Sequence, residues 1–249
     1  MRDTVKKLDG KVAVVTGAGK GIGKAVAIGF GREGGAVCCA ARTAADIEDT
    51  VKTILREGGR GLAVPTDVTK PDEVERLFQN AKGSFGGIDI VFINAGGNLD
   101  RSRVEDGNAQ AWAATVELNL IGSYYCAKAS IPYLKERGGG RIITMGSGIG
   151  HAGMPGSSAY SCAKAGLWML TRVLAEELWP YKISVNELIP GPVKTVRNSD
   201  LIRAKESVFG IESEWIKTPE EVVPLAVFLA SHPEPGPTAQ SFSLMRRKM

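Results

Sequence analysis

Cysteine is scarce in this 249-residue chain. Its four cysteines, Cys38, Cys39, Cys126 and Cys162, form no CxxC pair and no regular spacing. A disulfide framework is excluded and reduced thiols are expected. Histidine is scarcer still. His151 and His232 stand outside any HExxH or Cys/His cluster, so no metal site is expected. Aromatics make up 6% of residues, and 31 basic against 27 acidic side chains leave a net charge of only +4. The basic residues gather only at Lys6-Lys7 and Arg246-Arg247-Lys248, with no interleaved aromatics, so nucleic acid is not an expected partner. Long apolar runs are absent too: residues 36–41 are typical of the longest. Neither a membrane span nor a signal peptide is visible, which points to a cytoplasmic protein with no membrane partner.

What the chain does have is glycine, 31 residues of it, and short apolar runs alternating with segments of helical period. Strands are expected at 11–16, 36–41, 61–65, 88–94, 141–147 and 183–189, with a possible seventh at 240–244. Helices are expected at 21–33, 46–57, from Pro71 onward, 109–135, 159–178 and 219–231. In the fifth of these, Ala163, Leu167, Leu170, Leu174 and Leu178 recur at a spacing of three or four, which defines one buried face. Strict β/α alternation with Val/Ile-rich strands predicts an α/β fold, a doubly wound parallel sheet of six to seven strands with helices on both faces. No composition break divides residues 1–249, so one domain is expected. A (β/α)₈ barrel would need two more units than the chain can supply.

After the first strand comes Thr16-Gly17-Ala18-Gly19-Lys20-Gly21-Ile22-Gly23. Glycines there remove obstructing Cβ atoms and reach positive φ, so backbone N–H groups can approach a pyrophosphate, with a helix N-terminus behind them. The spacing is TGxxxGxG rather than GxGxxG, since Ile22 stands where the last glycine would fall. A bare glycine turn would look the same, but the strand before and helix after give the setting of dinucleotide binding. At the end of the second strand an acidic residue would hold the ribose 2′-hydroxyl of NAD. Here Ala41 is followed by Arg42, and Lys20 lies in the glycine loop. These two cations are either solvated surface charges or a site for the 2′-phosphate, and their convergence favours NADP(H) over NAD(H).

Tyr160 and Lys164 stand four residues apart at the start of a helix and share a face. A cation beside a phenol favours phenolate, which makes a proton donor and acceptor suited to a carbonyl/alcohol pair. Alone, the pair also fits a half-buried Tyr with a snorkelling Lys. Ser147 closes the fifth expected strand, at the carboxyl end where open α/β sheets bind ligands. A hydroxyl there can hydrogen-bond a substrate oxygen. As a hydrolytic nucleophile it lacks the GxSxG setting, because Met145 occupies the first glycine position. Asn119 is a polar residue in an apolar helical stretch, either a satisfied core amide or a residue holding a water near Lys164.

With these residues in place the chain resembles the short-chain dehydrogenase/reductase family over nearly its whole length, and is similar to its NADP-preferring members. The matching motifs are TGAGKGIG at 16–23, Asp67-Val68, Asn94-Ala95-Gly96, Asn119, Ser147, YSCAK at 160–164, Asn186 and Pro190-Gly191-Pro192-Val193-Lys194-Thr195. The resemblance implies a Rossmann fold and hydride transfer at nicotinamide C4. It implies Tyr160 as acid/base, Lys164 lowering its pKa and binding the nicotinamide ribose, Ser147 orienting the substrate oxygen and Asn119 holding a relay water. Gly17, Gly19, Lys20, Gly21, Ile22 and Gly23 would take the phosphates, and Arg42 the 2′-phosphate. Asp67 and Val68 would line the adenine. Asn94, Ala95 and Gly96 would lie beside the cofactor, with Pro190, Gly191, Val193 and Thr195 at its nicotinamide end.

Two features depart from the family pattern. The chain ends in Phe242-Ser243-Leu244-Met245-Arg246-Arg247-Lys248-Met249, where many members carry a glycine pair. That segment often helps form the tetramer, so a homo-oligomer is expected without a choice between tetramer and dimer. The substrate lid, at about 191–217, mixes Arg197, Arg203 and Lys205 with Phe209, Ile211 and Trp215. The resulting expectation is an NADP(H)-dependent oxidoreductase acting on a small-molecule carbonyl/alcohol pair, by resemblance a 3-oxoacyl thioester. A sugar or polyol dehydrogenase, or a non-catalytic NADP-binding sensor, are the alternatives.

Overall fold

The computed structural model describes residues 6–195 and 214–246. Seven strands form one sheet in the order β3-β2-β1-β4-β5-β6-β7, every pair parallel. They are β1 (Val12–Thr16), β2 (Ala36–Ala41), β3 (Arg60–Pro65), β4 (Ile90–Ile93), β5 (Gly140–Met145), β6 (Ile183–Ile189) and β7 (Ser241–Ser243). Between them run α1 (Gly21–Arg32), α2 (Ala44–Arg56), α3 (Pro71–Phe85), α4 (Ala109–Val116), α5 (Gly122–Glu136), α6 (Gly148–Ala152), α7 (Ser158–Leu178) and α8 (Val223–Ser231).

Central strands such as β1 and β6 are buried at every position, because helices cover both faces. Alternate side chains therefore feed two cores. Ala13, Val15, Val37 and Cys39 join Phe30, Ile54 and Leu229 on one face. Val14, Cys38 and Ala40 join Phe78, Leu134 and Leu174 on the other. The four cysteines are free, and burial pushes the Cys39 and Cys126 thiols up to about 12.

Strand order reverses between β1 and β4, and the crevice outside the carboxyl ends of those strands is where such sheets bind ligands. The seventh strand is present, and short β4 ends at Ile93 rather than at the expected residue 94. The helix expected over 109–135 is interrupted by one π turn, Glu117–Ile121. Strand β5 stops at Met145, so Ser147 is not a strand residue: it is the N-cap of the short helix α6, which the sequence pattern does not reveal. Most of the expected lid, residues 196–213, lies outside the described residues, along with Arg197, Arg203, Lys205, Phe209 and Ile211.

Candidate active site

The turn after β1 is held by its glycines. Gly17 has φ +68°, and a Cβ on it would lie 2.7 Å from Asn94 Nδ2 and 3.0 Å from Ala95 Cα. Gly23 faces the Gly17 carbonyl so closely that a Cβ would collide with it. Only glycine fits either position, and together they fold the loop tightly onto the start of α1. Lys20 is the N-cap of α1 but supplies no side-chain cap, and the first turn contains no acidic residue. Its N–H groups lack intrahelical acceptors, as in every first turn, so the loop presents donors and a positive dipole end toward the crevice. Thr195 reaches over this loop, its Cγ2 lying 3.1 Å from where a Cβ of Gly21 would be.

Across the sheet reversal, Asn94 Nδ2 donates to Thr16 O at 3.0 Å and Gly17 O at 3.4 Å. In return Thr16 Oγ1 accepts from the amides of Asn94 at 3.0 Å and Ala95 at 3.1 Å. The ends of β1 and β4 are thus locked together. Asp67 stands in the turn after β3, where its Oδ1 accepts from Thr69 N at 3.0 Å and Thr69 Oγ1 at 2.9 Å. Val68 is buried, 2.9 Å from where a Gly122 Cβ would lie. Pro190 and Val193 are buried, and the 190–195 segment is pinned by Lys194 N donating to Lys217 O at 2.8 Å and Lys217 N to Pro192 O at 3.0 Å.

The basic pair divides. Arg42 is exposed and has no hydrogen bond or ion pair among the described residues. Lys20 Nζ lies 3.0 Å from Asp46 Oδ2 on α2. Lys24 Nζ is likewise 2.6 Å from Asp49 Oδ2. A cleft lined by Gly19, Lys20, Gly21, Lys24, Asp46 and Asp49 opens here, so the region holds carboxylates as well as cations. Sequence reasoning missed Asp46, because α2 begins two residues earlier than its pattern suggests and swings that carboxylate toward the glycine loop.

Helix α7 carries Tyr160 and Lys164 on one face. Lys164 is 3% exposed, and its Nζ donates to Met145 O at 2.7 Å and lies 5.5 Å from the Tyr160 ring centroid. Burial pulls its ammonium down to about 8, while the Glu187 carboxylate pulls the other way. The half-buried Tyr160 has its phenol beside the Ser147 hydroxyl, close enough for Ser147 to act on its titration. Burial pushes its phenol up, and the Ser147 hydroxyl and the Arg101 charge offset this only in part. The cation that lowers the phenol is Arg101 rather than Lys164, and burial outweighs it. Ser147 Oγ also accepts from Ile149 N, at a long 3.4 Å.

Asn119 sits fully buried in the π turn, a distortion frequent at functional sites. Its Nδ2 donates to Gly97 O at 2.7 Å and Thr115 O at 2.8 Å, and its Oδ1 accepts from Gly97 N at 3.1 Å. Its own carbonyl accepts from Ser123 Oγ at 2.7 Å. Its side chain thus clamps the turn after β4, and Gly96 is required beside it, because a Cβ would lie 2.5 Å from Asn119 Oδ1.

The structure brings Ser147, Tyr160 and Lys164 into one group beside the ends of β5 and α6. Gly17 to Gly23 and Asn94 to Gly96 lie at the adjoining ends of β1 and β4. Asn119 touches the Asn94–Gly97 turn rather than the Tyr160 group directly. Besides Asp46, the sequence pattern does not point to Glu187, which is fully buried on β6. The available signal was a lone carboxylate in the otherwise uncharged run ISVNELI.

Comparison with known proteins shows the family. The short chain dehydrogenase family model matches residues 11–206. A 3-oxoacyl-[acyl-carrier-protein] reductase from Synechocystis sp. is 36% identical over 245 residues, covering 95% of this chain and 96% of that protein. A crystal structure of a short-chain type dehydrogenase/reductase from Mycobacterium marinum superposes with a TM-score of 0.88 at 31% identity, covering 97% of this chain and 96% of that one. The structure of NAD+-bound xylitol dehydrogenase gives 0.89 at 25% identity, covering 96% and 99%. No helix among the described residues is long and apolar enough to cross a membrane. With a reversed parallel sheet, a glycine loop at its switch point and the Ser147, Tyr160 and Lys164 group beside it, the chain belongs to the short-chain dehydrogenase/reductase family and is an oxidoreductase.

Proposed function

We propose that this oxidoreductase uses NADP(H) to interconvert a carbonyl and a secondary alcohol, with a 3-oxoacyl thioester as substrate. The observation that carries the reading is Tyr160, with Ser147 beside its phenol, over a buried Lys164 whose Nζ is held by Met145 O, at the carboxyl ends of parallel strands. The reductase relative, alike over 95% of this chain, supports the substrate class.

The glycine loop fits a dinucleotide: its side-chain-free turn and uncapped α1 start leave room and donors for a pyrophosphate. Gly17, Gly19, Lys20, Gly21, Ile22 and Gly23 hold the phosphates in this reading, and Arg42 with Lys20 meets the 2′-phosphate. Asp67 and Val68 border the adenine. Asn94, Ala95, Gly96, Pro190, Gly191, Val193 and Thr195 flank the nicotinamide half. When bound, the nicotinamide supplies the hydride donor or acceptor.

The protein's own residues do the rest. Ser147 hydrogen-bonds the substrate oxygen and orients it toward the Tyr160 phenol. Tyr160, a phenol that burial pushes further up, gives its proton to that oxygen during reduction and takes it back during oxidation. Lys164 anchors the ribose and steadies the phenolate left behind. Asn119 keeps the Asn94–Gly97 turn in place beside this group, with a relay water as its further role.

The same reading makes residues 1–249 one catalytic domain covered by a lid at 191–217, working in the cytoplasm as a homo-oligomer. Ile121, Tyr124, Met169 and Val173 leave apolar area in solvent around α5 and α7, where a second copy would cover it. Parallel fluorescence titrations with NADPH and NADH, followed by turnover of acetoacetyl coenzyme A and of xylitol, test the proposal. Tighter NADPH binding with thioester reduction supports it. Tighter NADH binding with xylitol oxidation replaces it with the polyol alternative, and binding without turnover of either substrate leaves the sensor reading.

A further inference from the structure

Glu187 lies on β6 in register with Thr144 of β5 and Ser241 of β7, and the polar atoms on this part of the sheet face α7. Its carboxylate is 0% exposed and firmly held. Ser241 Oγ donates to Oε2 at 2.5 Å, and His151 Nε2 of α6 lies 3.0 Å from Oε2 and 3.3 Å from Oε1. Gly146 makes the space: a Cβ there would strike Glu187 Oε1. Gly150 does the same for α6, since its Cβ would come 2.8 Å from Lys164 Cβ, so His151 is brought directly beside α7. The Glu187 carboxylate thus packs on the Met145–Gly146 turn whose Met145 carbonyl accepts from Lys164 Nζ, with the His151 imidazole beside it; the two charges are neighbours across this turn rather than an ion pair within 4 Å.

We propose that Glu187 is a positioning residue of the active site, a buried counter-charge that keeps Lys164 ionised, with His151 and Ser241 fixing its orientation. This rests on the reading of Lys164 as the cation beside Tyr160. An ammonium out of water with one carbonyl partner, Met145 O, is strongly disfavoured unless an anion is near. The groups facing the pair are few. Helix α6 contributes His151, α7 contributes Lys164 and the phenol of Tyr160, β7 contributes Ser241, and β5 contributes the Met145 carbonyl. Behind His151 stand the Trp168 ring, edge-on at 5.2 Å, and the Arg172 guanidinium stacked on it at 4.3 Å. Glu187 is the only carboxylate among these groups, and it opposes the loss of the Lys164 proton that burial drives. A neutral Lys164 would give no electrostatic help to a phenolate.

The test is the titration of Lys164 itself. Protein carrying ε-¹³C-lysine is followed by NMR, with the Lys164 signal assigned by its loss in Lys164→Arg. The expected midpoint is near 8 in the wild type. It should fall by about one pH unit, roughly tenfold in proton affinity, in the isosteric Glu187→Gln, and return most of the way in Glu187→Asp. The alkaline limb of NADPH-dependent acetoacetyl coenzyme A reduction should move down with it. A midpoint unchanged in Glu187→Gln overturns the proposal. If that variant does not fold, the ¹³Cδ signal of Glu187 in the wild type decides: a protonated carboxyl at neutral pH overturns the assignment, a carboxylate upholds it. Absence of NADPH and NADH binding by the wild type counts against the cofactor reading instead, and leaves the Lys164 titration to report on Glu187.

Discussion

Asp46 holds Lys20 in a salt bridge at 3.0 Å, drawing the one cation of the glycine loop toward α2. Lys20 is 58% exposed, so the pair is screened and contributes little to stability. Its effect is on ligand choice. In the proposed NADP(H) reading a 2′-phosphate must compete with Asp46 for Lys20, as it must with Asp49 for Lys24. Asp46→Asn removes that competition. NADPH affinity should tighten by about three- to tenfold at low salt, with the gain shrinking as ionic strength rises, while NADH affinity changes little. Fluorescence titration at two salt concentrations measures both, and equal gains for the two cofactors would place the 2′-phosphate elsewhere.

Tyr160→Phe keeps the ring that packs over Lys164 and removes only the hydroxyl. Turnover of acetoacetyl coenzyme A should drop by about a thousandfold or more, since proton transfer by a positioned acid contributes on the order of a hundred- to ten-thousandfold. NADPH affinity should stay within about threefold of wild type. A variant that loses cofactor binding together with turnover would make the hydroxyl a binding group rather than the proton donor.

The chemistry was legible in the sequence where a residue type is forced by backbone geometry. Gly17 and Gly23 cannot be replaced without collision, so the loop announces itself. Buried strands read clearly because apolar runs of four to seven residues fit nothing else between helical periods. Short elements did not read. Helix α6 has five residues, too few for a period, so Ser147 was placed on a strand instead of at a helix start. The π turn at Asn119 leaves no trace in a pattern that continues on both sides of it. Pairs set by tertiary packing, such as Asp46 with Lys20 or Glu187 with His151, depend on which faces meet, and no local spacing encodes that.

Asn119 spends both amide hydrogens and its side-chain oxygen on backbone partners, Thr115 O and the two groups of the half-buried Gly97. Asn119→Ala strips these and leaves the half-exposed turn after β4 without the side chain that clamps it. Each of the three hydrogen bonds lost contributes about 1 kcal/mol net, so a loss of about 2–4 kcal/mol is expected in urea unfolding. A change below about 0.5 kcal/mol would mean that water replaces the amide, and would favour the relay-water role over the clamp.

Lys164 makes folding stability depend on pH, and the sign follows from its lowered pKa. In the unfolded chain it titrates near 10.4, and in the folded protein burial brings it to about 8. Between those values the unfolded state holds a proton that the folded state does not, so stability rises with pH through this window. Below about 8 both states are charged and the full cost of the buried ammonium is felt. Lys164→Met has no such titration, while the lysines, tyrosines and thiols remote from the site titrate alike in both proteins. The wild type should therefore gain about 3 kcal/mol relative to Lys164→Met between pH 8 and about 10.5. Urea unfolding of the two proteins at matched pH values measures the gain. A flat difference would show that Lys164 titrates as a solvated lysine, and its place as the buried cation under Tyr160 would fall with it.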